Sequence, residues 1–132
     1  MRGLALLLAL LLAACEAPGP LRCPDGGRAA VTETLFFGTD RPGGAVSDAQ
    51  WAAFLGEVVA PRFPQGFTTW PASGQWRGAS GEVVRERSFV LSIVHAPGEE
   101  SARDVAAIAS QYKSRFGQEA VLRVASSGCS SL

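Results

Sequence analysis

Apolar and polar residues alternate along Ala30–Gly38 (AVTETLFFG), with Val31, Leu35 and Phe37 on one side and Thr32, Thr34 and Phe36 on the other. That two-residue period predicts a strand. After a Pro/Gly loop the period changes. Trp51, Phe54, Leu55, Val58 and Val59 recur at helical spacing and stop at Pro61. Ser47 opens this helix, and Gln50 three residues later completes a capping box. Phe67–Trp70 and Gly74–Arg77 read as an interrupted second strand, and Gly78-Ala79-Ser80-Gly81 as a turn. Glu82–His95 reads as a long third strand with Phe89, Leu91 and Ile93 inward. Glu99–Phe116 is a second helix with Val105, Ile108, Tyr112 and Phe116 as its stripe and Gly117 at its left-handed end. Gln118–Ala125 closes the pattern as a strand, with Ala120, Leu122 and Val124 expected to face inward.

The order β-α-β-β-α-β with right-handed crossovers predicts an α+β, ferredoxin-like sandwich: a four-stranded antiparallel sheet with two helices on one face. The other sheet face is then left for solvent, a ligand or a partner. Turn centring on Ala79-Ser80 would set Arg77 opposite Glu82 and Trp70 opposite Phe89.

Ahead of this domain lies a different pattern. Met1-Arg2 gives a positive start, Gly3–Leu12 is almost wholly Leu and Ala, and Leu12-Ala13-Ala14-Cys15 follows. This predicts a lipoprotein signal peptide over residues 1–14, with Cys15 lipidated. The apolar run falls short of the roughly 20 residues of a membrane span. Residues 15–29, rich in Pro and Gly, read as a tether, and residues 30–132 as the single domain. The predicted location is the bacterial cell envelope, facing the periplasm. Glu16 in place of the aspartate that retains lipoproteins at the inner membrane makes the outer membrane the expectation.

Charge narrows the partners. The chain holds 12 basic and 12 acidic residues; Arg2 leaves with the signal, so 11 basic residues face 12 acidic ones. Such a domain has no electrostatic footprint for nucleic acid. The remaining cysteines, Cys23 and Cys129, stand near the two ends of the domain. An oxidising compartment favours pairing them. The closed loop of roughly a hundred residues corresponds to as much as about 4.7 kcal/mol of chain entropy. Two unpaired thiols are the alternative.

The chemistry-bearing residues are few. His95 is the single histidine, which excludes a multi-histidine metal site, and no metal or other cofactor is expected. No nucleophile elbow or phosphate-binding glycine loop is present. The candidate surface is the open sheet face: Glu86, Ser88 and Arg123, with Gln75, Trp76 and Arg77 at its rim. A face mixing aromatic, carboxylate and guanidinium groups can hold a small ligand. A solvated face with a surface ion pair, or half of a dimer interface, would have the same composition.

Several short runs share one resemblance: Phe37-Gly38, Ser47-Asp48 with Trp51, Pro61–Phe67, Gly74-Gln75-Trp76-Arg77, Arg85-Glu86, Tyr112-Lys113 and Arg115-Phe116-Gly117-Gln118. Together they resemble the bacterial family of domain of unknown function 3574, secreted or lipid-anchored proteins, over about residues 35–129. The resemblance implies compartment and domain extent, and brings no activity, cofactor or catalytic residue. Three functions remain open. The leading expectation is a lipid-anchored module binding a small ligand or an envelope protein without chemistry. The second is a small enzyme using Glu86 or His95 as acid/base on the open face. The third is a structural protein forming a homodimer through that face.

Overall fold

The computed structural model describes residue 19 and residues 21–132; the predicted signal peptide and Cys15 lie outside the described residues. Strand β1 (Arg28–Gly38) leads through a two-rung hairpin, β2 (Asp40–Arg41) and β3 (Gly44–Ala45), into helix α1 (Asp48–Phe54). One π-helical turn, Leu55–Val59, extends α1. Strands β4 (Thr68–Arg77) and β5 (Val83–His95) form a long hairpin, followed by helix α2 (Glu99–Phe116) and strand β6 (Leu122–Ser130). The main sheet runs β4-β5-β1-β6, with each neighbouring pair antiparallel. This is the ferredoxin-like α+β arrangement that the alternation of periods predicts.

Local chemistry fixes the helix ends. The Ser47 hydroxyl accepts from the Gln50 amide at 3.2 Å, and the Gln50 side chain accepts from the Ser47 amide at 3.0 Å. These reciprocal bonds satisfy two donors that the first helical turn cannot pair internally. At the other end of the helical run, the Arg62 guanidinium donates to the Val58 carbonyl at 2.6 Å. Helix α2 ends where Gly117 takes φ 65° and ψ 34°, a backbone conformation costly for a residue with a Cβ.

The core lies between the helices and one face of the sheet, and it is largely aromatic. Trp51 stacks flat on Phe89, with ring centroids 4.7 Å apart and planes 2° apart. Phe37 meets Tyr112 edge-on at 4.7 Å, and Phe54 meets Tyr112 at 5.2 Å. Leu35, Leu91, Ile93, Val105 and Ile108 are fully buried around these rings. Burying each large side chain contributes on the order of 1.5–3 kcal/mol.

Three sequence expectations need correction. Strand β4 is uninterrupted, because Pro71 sits on the outermost strand, where its missing N–H breaks no interior ladder. The β4–β5 register is one residue from that expected: Arg77 faces Val83 and Trp70 faces Val90. The connection is five residues long, closed by Gly78 N–H to Glu82 O at 2.9 Å, with Gly81 at φ 92°. An odd loop shifts the pairing by one.

The last strand starts later than expected, at Leu122. Leu122 and Val124 point away from the core, 62% and 50% exposed, while Arg123 lies on the helix side. What fixes this register is Glu33. It lies on the buried parity of β1, 1% exposed, between Val31 and Leu35. Arg123 donates from Nε to Glu33 Oε2 at 2.7 Å and from Nη2 to Glu33 Oε1. A carboxylate on the core side demands such a partner, because an unpaired buried charge costs far more than the apolar burial forgone at Leu122 and Val124.

Cys23 and Cys129 form a disulfide, with Cα atoms 5.6 Å apart across 106 residues of sequence. It ties the segment before β1 to the end of β6. Replacing both cysteines by serine is expected to lower stability by about 2–5 kcal/mol, read as a shift in the urea midpoint. An unchanged midpoint would show that the cross-link does not restrict the unfolded chain.

Candidate functional site

The helices cover the odd-numbered side of β1 and β5, so the even-numbered side forms the open face. A cleft of about 350 Å³ opens there, at the end where β1 stops and the loop after α2 passes over. Its depth comes from small residues. Gly38 on β1, Ala72 and Gly74 on β4, and Ser88 on β5 lie side by side in the sheet and project almost nothing into the cleft. Around them stand Phe36, Trp76 and Leu122, and the loop residues Gln118, Glu119 and Ala120 complete the lining. The mix of apolar walls and a few polar groups is typical of small-molecule sites.

Glu86 is the best-anchored polar group in this cleft. Its Oε1 accepts from the Trp76 indole N–H at 2.7 Å, and its Oε2 accepts from the Asp40 amide at 2.7 Å. The carboxylate lies across Gly38, where a Cβ would overlap it. Gly38 is therefore needed for room, while its φ is ordinary. Beneath, the Tyr112 hydroxyl donates to the Gly38 carbonyl at 2.8 Å. Burial pushes the Tyr112 phenol well above its usual range, and the nearby Glu86 charge adds to this, against a smaller opposing effect of Arg41. The phenol thus stays a neutral donor. Gln118 donates from its side chain to the Asp40 carbonyl at 2.8 Å, tying the overhanging loop to the same corner.

The residues singled out from sequence divide into two groups. Trp76, Glu86 and Ser88 meet in the cleft, with Gln75 at its edge; the Gln75 side-chain oxygen accepts from Arg85 Nε at 2.7 Å. Arg77 and Arg123 do not join them. Arg77 reaches back to the Gly81 carbonyl at 3.2 Å, on the opposite side of β4 from Trp76. Arg123 is turned to Glu33 on the helix side, so the expected guanidinium is missing from the open face. His95 also lies on the helix side. Its Nδ1 is 2.8 Å from the Ala96 carbonyl, and its Nε2 is 3.8 Å from Glu33 without a hydrogen-bond partner. Among the described residues no group of three His, Cys, Asp or Glu could hold a metal ion.

Sequence reasoning missed Gly38, Ala72, Gly74, Gln118 and Glu119. The signal was present in β4, where Ala72 and Gly74 share the parity of Trp70 and Trp76 and leave a gap between two large rings.

The family profile described as "Protein of unknown function (DUF3574)" matches residues 32–132. The chain belongs to this family. No curated protein matches the sequence. Among solved structures, this DUF3574 domain is similar to a phage SAM lyase in complex with S-methyl-5'-thioadenosine. That match has a TM-score of 0.59 and 19% identity over 80% of this chain and 84% of that one. It is also similar to CutA from Synechococcus elongatus PCC7942 complexed with Bis-Tris, with a TM-score of 0.52 and 12% identity over 80% and 88%. At such identities these likenesses establish a shared fold.

Gly38→Ala tests the site geometry. The new Cβ must expel the Glu86 carboxylate from its two donors, at an expected cost of about 1–3 kcal/mol in urea unfolding. In a Glu86→Ala background the same change should cost little, a coupling that a double-mutant cycle measures. Equal costs in both backgrounds would mean that Gly38 is needed for some other reason.

Proposed function

We propose that this protein is a lipid-anchored module of the bacterial cell envelope that captures a small organic molecule in the open-face cleft and does not transform it. The observation that carries this reading is the cleft: about 350 Å³, walled by Phe36, Trp76 and Leu122, with Glu86 fixed at one side. Its volume falls in the range of small-molecule sites. A ligand-bearing cleft is compatible with the shared fold, since the phage SAM lyase is described with S-methyl-5'-thioadenosine bound.

Binding is favoured over catalysis by how Glu86 is held. Two protein donors fix its orientation, which suits a recognition group; acid/base work needs a carboxyl that can reach a reacting atom and exchange a proton. His95, the other acid/base candidate, lies on the far side of the sheet. The Glu86 carboxylate on the same strand face accepts from Trp76 and Asp40 rather than from the Ser88 hydroxyl, so Ser88 lacks the hydrogen-bonded base that a nucleophile needs.

The anchoring part of the proposal rests on Leu12-Ala13-Ala14-Cys15 at the end of the leucine run. The Cys23–Cys129 disulfide supports an oxidising compartment. No helix among the described residues is long and apolar enough to cross a membrane. A second reading, pairing of two copies through the open face, is supported by Phe36, Trp70, Val94, Leu122 and Val124, each between 38% and 62% exposed.

Two measurements test the proposal. In NMR titrations with small aromatic fragments, shifts should gather at Gly38, Trp76 and Glu86, and Ala72→Leu, which fills the floor, should weaken binding by about tenfold or more. Shifts scattered over the surface, or concentration-dependent shifts over the whole face without any fragment, would instead support no site or self-association. Cys15→Ala should release the protein from membranes in fractionated cells. Membrane attachment with an unchanged mass would overturn the anchoring.

A further inference from the structure

Resting on the ligand-binding reading, we propose that the molecule taken by the cleft is an organic cation, an ammonium or comparable onium group on an apolar or aromatic body. Among the described residues the charged groups that line the cleft are Glu86 and Glu119, both carboxylates, and lysine, arginine and histidine contribute nothing to the lining. A carboxylate or phosphate ligand would therefore meet repulsion with no compensating donor cluster.

The nearby guanidinium groups are directed elsewhere. Arg41 donates to the Gln50 side chain at 3.3 Å and lies over the Phe116 ring. Arg87 pairs with Asp48 at 2.5 Å, and Arg115 with Glu57 at 2.6 Å. Arg85 is engaged by Gln75 on the other side of the hairpin.

Three further observations point to the same charge. First, the lining loop Gln118–Ala120 follows directly on the C-terminal end of α2 at Gly117. The partial negative charge at a helix C-terminus favours a cation within a turn of it, an attraction that Lys113 and Arg115 in the last turn of α2 also meet. Second, each Glu86 oxygen accepts one protein hydrogen bond. A carboxylate oxygen accommodates two, so each keeps room for an N–H of the ligand. Third, Trp76, which donates to this carboxylate, and Phe36 both line the cleft. Aromatic faces attract cations, indole most strongly, and an indole whose N–H donates to an anion is polarised further toward its ring. Leu122 and the small-residue floor give the body of the ligand an apolar seat.

The experiment uses three molecules with one phenyl-ethyl body: 2-phenylethylammonium, 2-phenylethanol and 3-phenylpropionate. Each is titrated into the full-length, disulfide-intact protein while the Trp76 indole resonance is followed, assigned through Trp76→Phe. The cation is expected to bind about tenfold more tightly than the alcohol, with a preference that shrinks as salt rises, and the anion to bind more weakly than either. Glu86→Gln should cut the preference to the roughly two- to threefold that Glu119 supplies while the alcohol still binds. Should that variant fail to fold, Glu119→Gln, on the exposed loop, should reduce the preference roughly two- to threefold. If the alcohol binds as tightly as the ammonium, or the anion binds best, the cation assignment is overturned and the cleft remains a ligand site. If none of the three moves the Trp76 resonance up to its solubility limit, the ligand-binding reading falls as well.

Discussion

The structure depends on one buried contact between ring systems, the flat stack of Trp51 on Phe89, and on the rings gathered round it. Helix α1 contributes Trp51 and Phe54, helix α2 contributes Tyr112 and Phe116, and the sheet contributes Phe37 and Phe89. Aromatic pairs have preferred tilts as well as distances, so they fix the angle at which each helix lies on the sheet more narrowly than aliphatic contacts would. Tyr112 then adds a directional demand. Its hydroxyl is inside the core and needs an acceptor, and the Gly38 carbonyl supplies it. The last residue of β1 is thereby held in place from below. From above, the same residue supports the Glu86 carboxylate because it has no side chain. Core packing and cleft geometry thus meet at a single glycine.

Glu33 and Glu86 show how position decides the role of one residue type. Glu33 is buried on the helix side and clasped by Arg123, an arrangement that aligns β6 with β1. A buried pair of this kind offers little net stability over an apolar pair, but a mismatched register would strand the charge, so its contribution is to specificity of pairing. Glu86 on the open side has neutral donors only, an amide and an indole. They orient the carboxylate and leave its charge uncompensated within the cleft. The protein spends its arginine on structure where charge is buried, and leaves charge free where a ligand can reach it.

Much of the architecture was legible in the sequence. The alternation in Ala30–Gly38, the Ser47–Gln50 capping box, the span of α2 and its Gly117 terminus all follow from local rules that the tertiary structure obeys. The Cys23–Cys129 bond was legible from the predicted signal peptide and from the two cysteines standing near the ends of the domain. The errors share a cause. The apolar residues of β6 predict an inward Leu122 and Val124, yet both face outward because a distant carboxylate claims Arg123. The β4–β5 register turned on whether the loop held an even or odd number of residues, which Gly78–Glu82 does not announce. Trp76, Glu86 and Ser88 could be named as surface residues, whereas the concavity between them arises from what is absent at Gly38, Ala72 and Gly74. Alternation in one strand reveals a face; it does not reveal that small residues on three strands line up.

The disulfide has a consequence for topology. By joining Cys23 to Cys129 it makes the chain between them a covalent ring. A protease that cuts once inside the ring, for example in the exposed stretch Ala79–Val83, opens the circle without dividing it. Both pieces stay attached to one another through the disulfide. Loss of any segment between Cys23 and Cys129 requires two cuts within the ring, or one cut and a reductant.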